Sequence, residues 1–281
     1  MKPLYNFIVI AVLACTAFMA ASRHAYGQID TSILFIAPER VEFPPAEDER
    51  PVTRLINLTN KSNKTARFDV KIENYMMTEN GDVKRVDNFN YSAEPFLRYT
   101  PKRFTLKPNE RLAVRVMAQI PKDLPHGDYH THLLFREIPS PQKEQEALPE
   151  NQGNAVHFDI NTIYGIGVPI VVQNGTLSSR LVLKTADIAK TAAGTWLSTK
   201  LQRTGNAEAA GKLSVSHVIP GQEPVTIIAE QLVRLYHEVD MVERKIALPL
   251  IKGHQLSGGE LVVRLQTEAE TDTQEIRIPL K

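Results

Sequence analysis

The 281-residue chain has almost no cysteine: Cys15 is its one thiol. That excludes a disulfide framework within the chain, and with it the small loop-rich scaffolds that depend on one. Long apolar runs are equally scarce. Beyond residue 27 nothing approaches the roughly 20 consecutive apolar residues that a membrane-spanning helix needs. Neither sign of charge prevails, with 33 Lys and Arg against 32 Asp and Glu. A balanced chain lacks the basic footprint of a nucleic-acid binder. Catalytic signatures are missing as well. There is no Gly-x-Ser-x-Gly elbow, no His-Glu-x-x-His pair and no phosphate loop, and the carboxylates are scattered through turn segments. The expectation is a protein that is not an enzyme and needs no cofactor or metal.

What is present begins with a charged start at Lys2, an apolar run from Phe7 to Met19-Ala-Ala, and a small-residue exit at Ala25-Tyr26-Gly27. This order reads as a secretory signal peptide over residues 1–27, with the mature chain starting at Gln28. A lipoprotein reading around Val12-Leu-Ala-Cys15 competes, but Leu suits its position poorly and apolar sequence continues past the cysteine. Removing residues 1–27 takes away Cys15, Lys2 and Arg23, which leaves 31 basic against 32 acidic residues. Stability must then come from packing alone. About 254 mature residues suffice for two domains of ordinary size.

After the signal, turn residues alternate with short β-rich runs, and no stretch holds a helical period for three turns. Ile33–Ile36, Val52–Leu58, Ala66–Met77, Phe104–Leu106, Leu112–Ala118, Tyr129–Ile138 and Val156–Val172 read as strands. Pro44-Pro45, residues 60–64, Asn80-Gly81, Lys107-Pro-Asn109 and Pro125-His-Gly127 supply turns between them. Strands at this spacing signal an immunoglobulin-like sandwich. A second set follows Asn174-Gly175: Leu177–Leu183, Thr195–Leu201, Lys212–Val218, Val225–Ala229, Lys245–Leu250, Glu260–Leu265 and Glu275–Leu280. Residues 186–193 and 228–236 each suit a turn of helix. The expected fold is all-β, with two immunoglobulin-like sandwich domains, residues 28–173 and 174–281, joined at an elbow.

Within Val156–Val172, Val156, Phe158 and Ile160 fall on one side of an alternating strand, directly after sixteen residues, Pro139 to Asn154, with almost nothing to bury. Such a row either packs into its own core or serves a partner.

The order of several short segments resembles the periplasmic chaperones of the chaperone–usher pathway, which fold pilus subunits. Ala37-Pro-Glu-Arg40-Val-Glu-Phe43 is similar to that family's first strand, and Leu55-Ile-Asn-Leu-Thr-Asn60 with Lys61-Ser-Asn-Lys64 to the second. Residues 99–116 resemble the middle, and Leu133-Leu-Phe-Arg-Glu-Ile-Pro139 the end of the penultimate strand before a long loop. In the second domain, Arg203-Thr-Gly-Asn206 and Leu256-Ser-Gly-Gly-Glu-Leu261 are similar to divergent members.

The resemblance implies donor-strand complementation: the chaperone lays its own strand into a subunit's unfinished sandwich and delivers the subunit to an outer-membrane usher. It implies that Val156, Phe158 and Ile160 are the inserted row, continued by Thr162 and Tyr164, and that Arg40 anchors the subunit's terminal carboxylate. A solvent-facing arginine at a strand end is the alternative for Arg40. The family's second anchor, a lysine on the last strand, falls at Gly165 here; Arg98, Lys102 and Arg103 are substitutes to consider, and Gly165 and Gly167 would permit close backbone approach. The implied location is the periplasm, and exposed strand edges make self-capping dimers plausible. The other function class in play is an immunoglobulin-like adhesion or surface-structural protein.

Three further features weigh less. His126, His130 and His132 cluster, but a metal needs more ligands, so a solvated strand face is the expectation. Trp196 should anchor the second core. Asn57-Leu-Thr59 and Asn63-Lys-Thr65 match a glycosylation triplet by chance.

Overall fold

The structure is a computed structural model that describes residues 34–45, 50–139, 165–192, 194–267 and 273–280. The all-β expectation holds. The first group of strands is β1 (Leu34–Ala37), β2 (Val41–Phe43), β3 (Val52–Asn60), β4 (Ala66–Met77), β5 (Val83–Val86), β6 (Leu97–Thr100), β7 (Arg103–Leu106), β8 (Arg111–Ala118), β9 (Gly127–Ile138) and β10 (Gly165–Asn174). The second is β11 (Ser179–Thr191), β12 (Gly194–Gly205), β13 (Ala209–Val218), β14 (Val225–Leu235), β15 (Met241–Ala247), β16 (Glu260–Thr267) and β17 (Thr273–Pro279).

The first group makes two sheets. One has the order β1-β3-β8-β6; the other runs β2-β10-β9-β4, with β5 and β7 both paired to the far side of β4. Between them lies a core that includes Phe43, Ile56, Leu58, Val114, Phe135 and Ile170. The second group makes β11-β12-β15 and β14-β13-β16-β17 around Leu197, Leu201, Leu213, Val215, Leu261 and Val263. Strand β13 shows the driving pattern plainly. Ala209, Gly211, Leu213, Val215 and His217 are buried in strict alternation with less buried neighbours, as period-two side chains over a one-sided core require. Each fully buried Leu, Val or Phe contributes on the order of 1.5–3 kcal/mol.

The first strand changes sheet. β1 pairs antiparallel with β3, and after Pro38 and Arg40 the chain continues as β2, which pairs parallel with β10 at Ile170–Val172. Asn60 fixes the turn that follows β3. Its Nδ2 donates to Lys64 O at 2.8 Å and Leu106 O at 3.0 Å, while its Oδ1 accepts from Ser62 N and Ser62 Oγ. Every polar atom of this fully buried amide side chain is satisfied.

The two expected helical turns are strands instead. β11 runs through residues 186–191 and β14 through 228–235. A bulge between Leu183 and Thr185 shifts the inward row from Leu181 and Leu183 to Ala186 and Ile188, which imitates a helical step. In β14, register shifts opposite Val215 place Ile227 and Ile228 inward and then Val233 and Leu235. Trp196 is a second correction: it is only partly buried, and its neighbour Leu197 fills the core. The bulge in β11 leaves Trp196 paired with Ala189 on the row that faces away.

The connection between the two groups is built by the Arg203-Thr-Gly-Asn206 segment. Arg203, 3% exposed, donates to the carbonyls of Val239, Gly205, Ala207 and His237 and to Asp240 Oδ1 at 2.7–3.1 Å. The planar fork serves many acceptors at once, which lysine would not. Gly205 has φ +99°, and a Cβ there would stand 2.1 Å from Ser178 O. Asn206 closes the joint by accepting from Ser178 N and donating through Nδ2 to Thr176 O. No helix among the described residues is long and apolar enough to cross a membrane.

Candidate functional site

Among the described residues, strand β10 enters its sheet paired on one edge only. On one side it pairs with β9 along its whole length, from Gly165 opposite Arg136 to Asn174 opposite Gly127. On the other side β2 covers only Ile170–Val172. Gly165–Pro169 therefore has no strand partner on that edge among the described residues. Unpaired backbone groups on such an edge are a template for another strand. Along the even positions Val172, Ile170 and Val168 are buried, whereas Ile166 is 40% exposed. The core ends between Val168 and Ile166 while the apolar row runs on. The predicted insertion residues Val156, Phe158, Ile160, Thr162 and Tyr164 share that parity and lie outside the described residues.

Gly165 does what a lysine would not. A Cβ there would meet Leu134 Cδ1 at 3.2 Å, and one on Gly167 would meet His132 Cδ2 at 3.7 Å. Gly165 thus leaves room for the Leu134 side chain of β9, whereas the contact at Gly167 is an ordinary van der Waals one.

Arg40 sits in the turn between β1 and β2, four-fifths buried, against the second sandwich. Its Nη2 donates to Glu208 Oε1, and Arg234 Nη1, from β14, donates to the same oxygen. Arg40 Nε donates to Glu42 Oε1 at 2.6 Å. Burial opposes the charge on Arg40, but Glu208 and Glu42 outweigh it and hold the guanidinium above its ordinary value. Of the substitutes considered for a second cation, Arg98 donates to the carbonyl of its neighbour Leu97, and Lys102 lies over the Tyr99 ring. The cation that meets Arg40 through a shared carboxylate is Arg234.

Around this cluster the seam between the sandwiches is polar. Glu208 N donates to Asp128 Oδ2 at 2.7 Å, and His237 Nδ1 lies 3.2 Å from Asp128 Oδ1. Glu238 bridges the seam twice, accepting from Met77 N at 2.7 Å and meeting His130 Nε2 at 3.0 Å. Gly127, at φ +154°, allows the approach: a Cβ would stand 2.9 Å from Asn206 O and from His237 Cε1.

The three histidines do not share one solvated face: His126 is exposed, as expected, but His132 is half-buried and His130 is buried. The second sandwich covers His130, which is 3% exposed and stacks on Tyr236 at 4.4 Å. His132 meets the edge of Tyr75 at 4.9 Å, and burial, with His130 and Arg40 adding to it, lowers its pKa to about 4. His126 packs beside Gly175 and accepts from Thr176 N. Among the described residues no group of three or more His, Cys, Asp or Glu is placed to hold a metal. Sequence reasoning missed Glu208, Arg234, Asp128, His237 and Glu238. The one signal available, and only for Glu208, His237 and Glu238, was their setting near Arg203-Thr-Gly-Asn206, because residues 205–208 and 236–240 are the turns that Arg203 ties together; Asp128 and Arg234 lie in β9 and β14 and carried none.

No protein-family model matches the chain, and no curated protein does. Among solved structures, the CsuC–CsuE chaperone–tip adhesion subunit pre-assembly complex of Acinetobacter baumannii archaic chaperone-usher Csu pili is similar at 12% identity and TM-score 0.46, over 88% of this chain and 98% of that one. The Salmonella enterica SafA pilin in complex with the SafB chaperone is similar at 12% identity and TM-score 0.43, over 89% and 97%. The class 5 fimbriae chaperone CfaA is similar at 12% identity and TM-score 0.43, over 89% and 99%.

Proposed function

We propose that the protein is a periplasmic chaperone for pilus subunits, which completes a subunit's unfinished sandwich with a strand of its own and passes the subunit to an outer-membrane usher. The observation that carries this reading is the edge of β10 at Gly165–Pro169, which has no strand partner among the described residues, with its apolar row continuing past the end of the core at Ile166. In the sequence, Val156, Phe158 and Ile160, with Thr162 and Tyr164 after them, share the parity of that row. Backbone pairing along such an edge supplies affinity, and alternate side chains supply specificity. Burial of three Val, Phe or Ile side chains offers on the order of 1.5–3 kcal/mol each before the cost of ordering the strand.

Arg40 stands where the terminal carboxylate of a bound subunit would arrive. By the parallel register of β2 on β10, Arg40 precedes the Val41–Ile170 pair and so stands level with Pro169. A subunit strand that runs along that edge of β10 in the direction of β2 would end head-on at that guanidinium. Binding and transfer need no acid–base centre, metal or nucleotide. A β10 edge without a strand partner among the described residues also suits a self-capped dimer in the absence of subunit.

The test is recovery of a co-expressed pilus subunit by the full-length chain and by its Ile160→Asp variant. The variant should keep its near-ultraviolet circular dichroism and lose the subunit. Equal recovery of the subunit by both proteins would refute the proposal.

A further inference from the structure

The carboxylate that Arg40 grips in the free protein is the chain's own. Glu208 Oε1 accepts from Arg40 Nη2 and from Arg234 Nη1, one guanidinium from each sandwich. Its other oxygen, Oε2, is buried without a hydrogen-bond partner among the described residues. Two guanidinium forks converge on one oxygen and leave the second idle, although planar forks are built to engage both oxygens of a carboxylate. Glu208 is held from behind by its backbone, whose N–H donates to Asp128 Oδ2 at 2.7 Å, and its side chain is only 12% exposed. The pair of cations is therefore a formed anion site with a resident occupant.

We propose that Glu208 is an internal competitor for a partner's terminal carboxylate, and that Arg234 is the second cation of the site that receives it. The idea rests on the chaperone reading for the identity of the partner, a chain ending in a free carboxylate. Exchange keeps the charge count of the site unchanged, because one carboxylate leaves the two guanidiniums as another arrives. It also lets both oxygens of the newcomer find donors. The occupant has a further consequence: an empty chaperone offers no bare pair of cations to stray anions, and capture of a partner is linked to release of a contact that joins the two sandwiches.

The experiment separates the anion site from the partner. Full-length protein carrying ¹⁵N-labelled arginine is titrated with sodium acetate against sodium chloride at constant ionic strength, and the Nε–H resonance of Arg40 is followed. In Glu208→Gln, which keeps the size and removes the charge, the resonance should shift saturably at about tenfold lower acetate than in the unaltered protein, as for a site otherwise free about one-tenth of the time. In Glu208→Gln with Arg234→Gln the saturable shift should disappear. If Glu208→Gln does not fold, Glu208→Asp, one methylene too short to reach both forks, must show the same ordering. Equal half-saturation with and without the Glu208 carboxylate, or a titration indifferent to Arg234, overturns the proposal. Because acetate needs no donor strand, these results are independent of Ile160→Asp. Acetate binding as described with no effect of Ile160→Asp on subunit recovery would uphold the internal competitor and reject the chaperone reading, and the opposite pair of results would do the reverse.

Discussion

At the scale of single residues the seam concentrates the unusual chemistry. His132 is the clearest case for a measurement. Burial first, then His130 and Arg40, hold its pKa at about 4 in the folded chain, against about 6.5 when unfolded. Between those values the unfolded chain binds the proton that the folded chain refuses, so stability falls as pH drops from about 6.5 to about 4 and the loss is complete below that. The total is about 3 kcal/mol. Urea unfolding of the full chain between pH 4 and pH 7 should show a slope that His132→Gln flattens by that amount; parallel curves would mean that the ring titrates normally. None of this was legible in the sequence. Histidines two apart on a strand look alike whether water or protein covers them, and what covers these two is set by distant parts of the chain: Tyr236 and Glu238 meet His130 from more than a hundred positions away, and Tyr75 meets His132 from the neighbouring strand.

At the scale of elements the sequence was far more readable. Runs such as Ala66–Met77 and Leu112–Ala118 announce strands because their alternation and their turn chemistry agree, and the structure places β4 and β8 there. The failures have one cause. Bulges in β11 and β14 break the two-residue period, and a broken period of two imitates a helical one. Strand β10 carries the complementary lesson, since one alternating row serves two environments. Its inner part should behave as core and its entry as surface. Ile170→Ala, at a fully buried site, should cost about 2–5 kcal/mol. Ile166→Ala, on the same row, should change stability by no more than about 0.5 kcal/mol. Chemical denaturation of both variants measures the step, and similar losses would place Ile166 in the core after all.

At the scale of the whole molecule, two sandwiches each own a core and share a polar seam. Met77, from the first group of strands, is buried in the second core, and Glu238 accepts from its N–H while meeting His130. Glu238→Ala would strand both of those groups in a buried setting, which costs about 3 kcal/mol. The expected outcome in calorimetry is that one transition separates into two, because the remaining contacts hold each sandwich better than they hold the pair. A single transition merely lowered in temperature would show that the seam does not depend on Glu238.

The switch of the first strand between sheets has a geometric outcome of its own. β2 occupies the β10 edge from Ile170 onward, and Pro169 has no N–H to offer. Any incoming strand meets a fixed buffer at that point, as a train does at the end of a siding. How far it travels is decided by three residues of this chain, Val41, Glu42 and Phe43, and not by the visitor. A partner of any length would then stop in the same place, with its last residue at the same address.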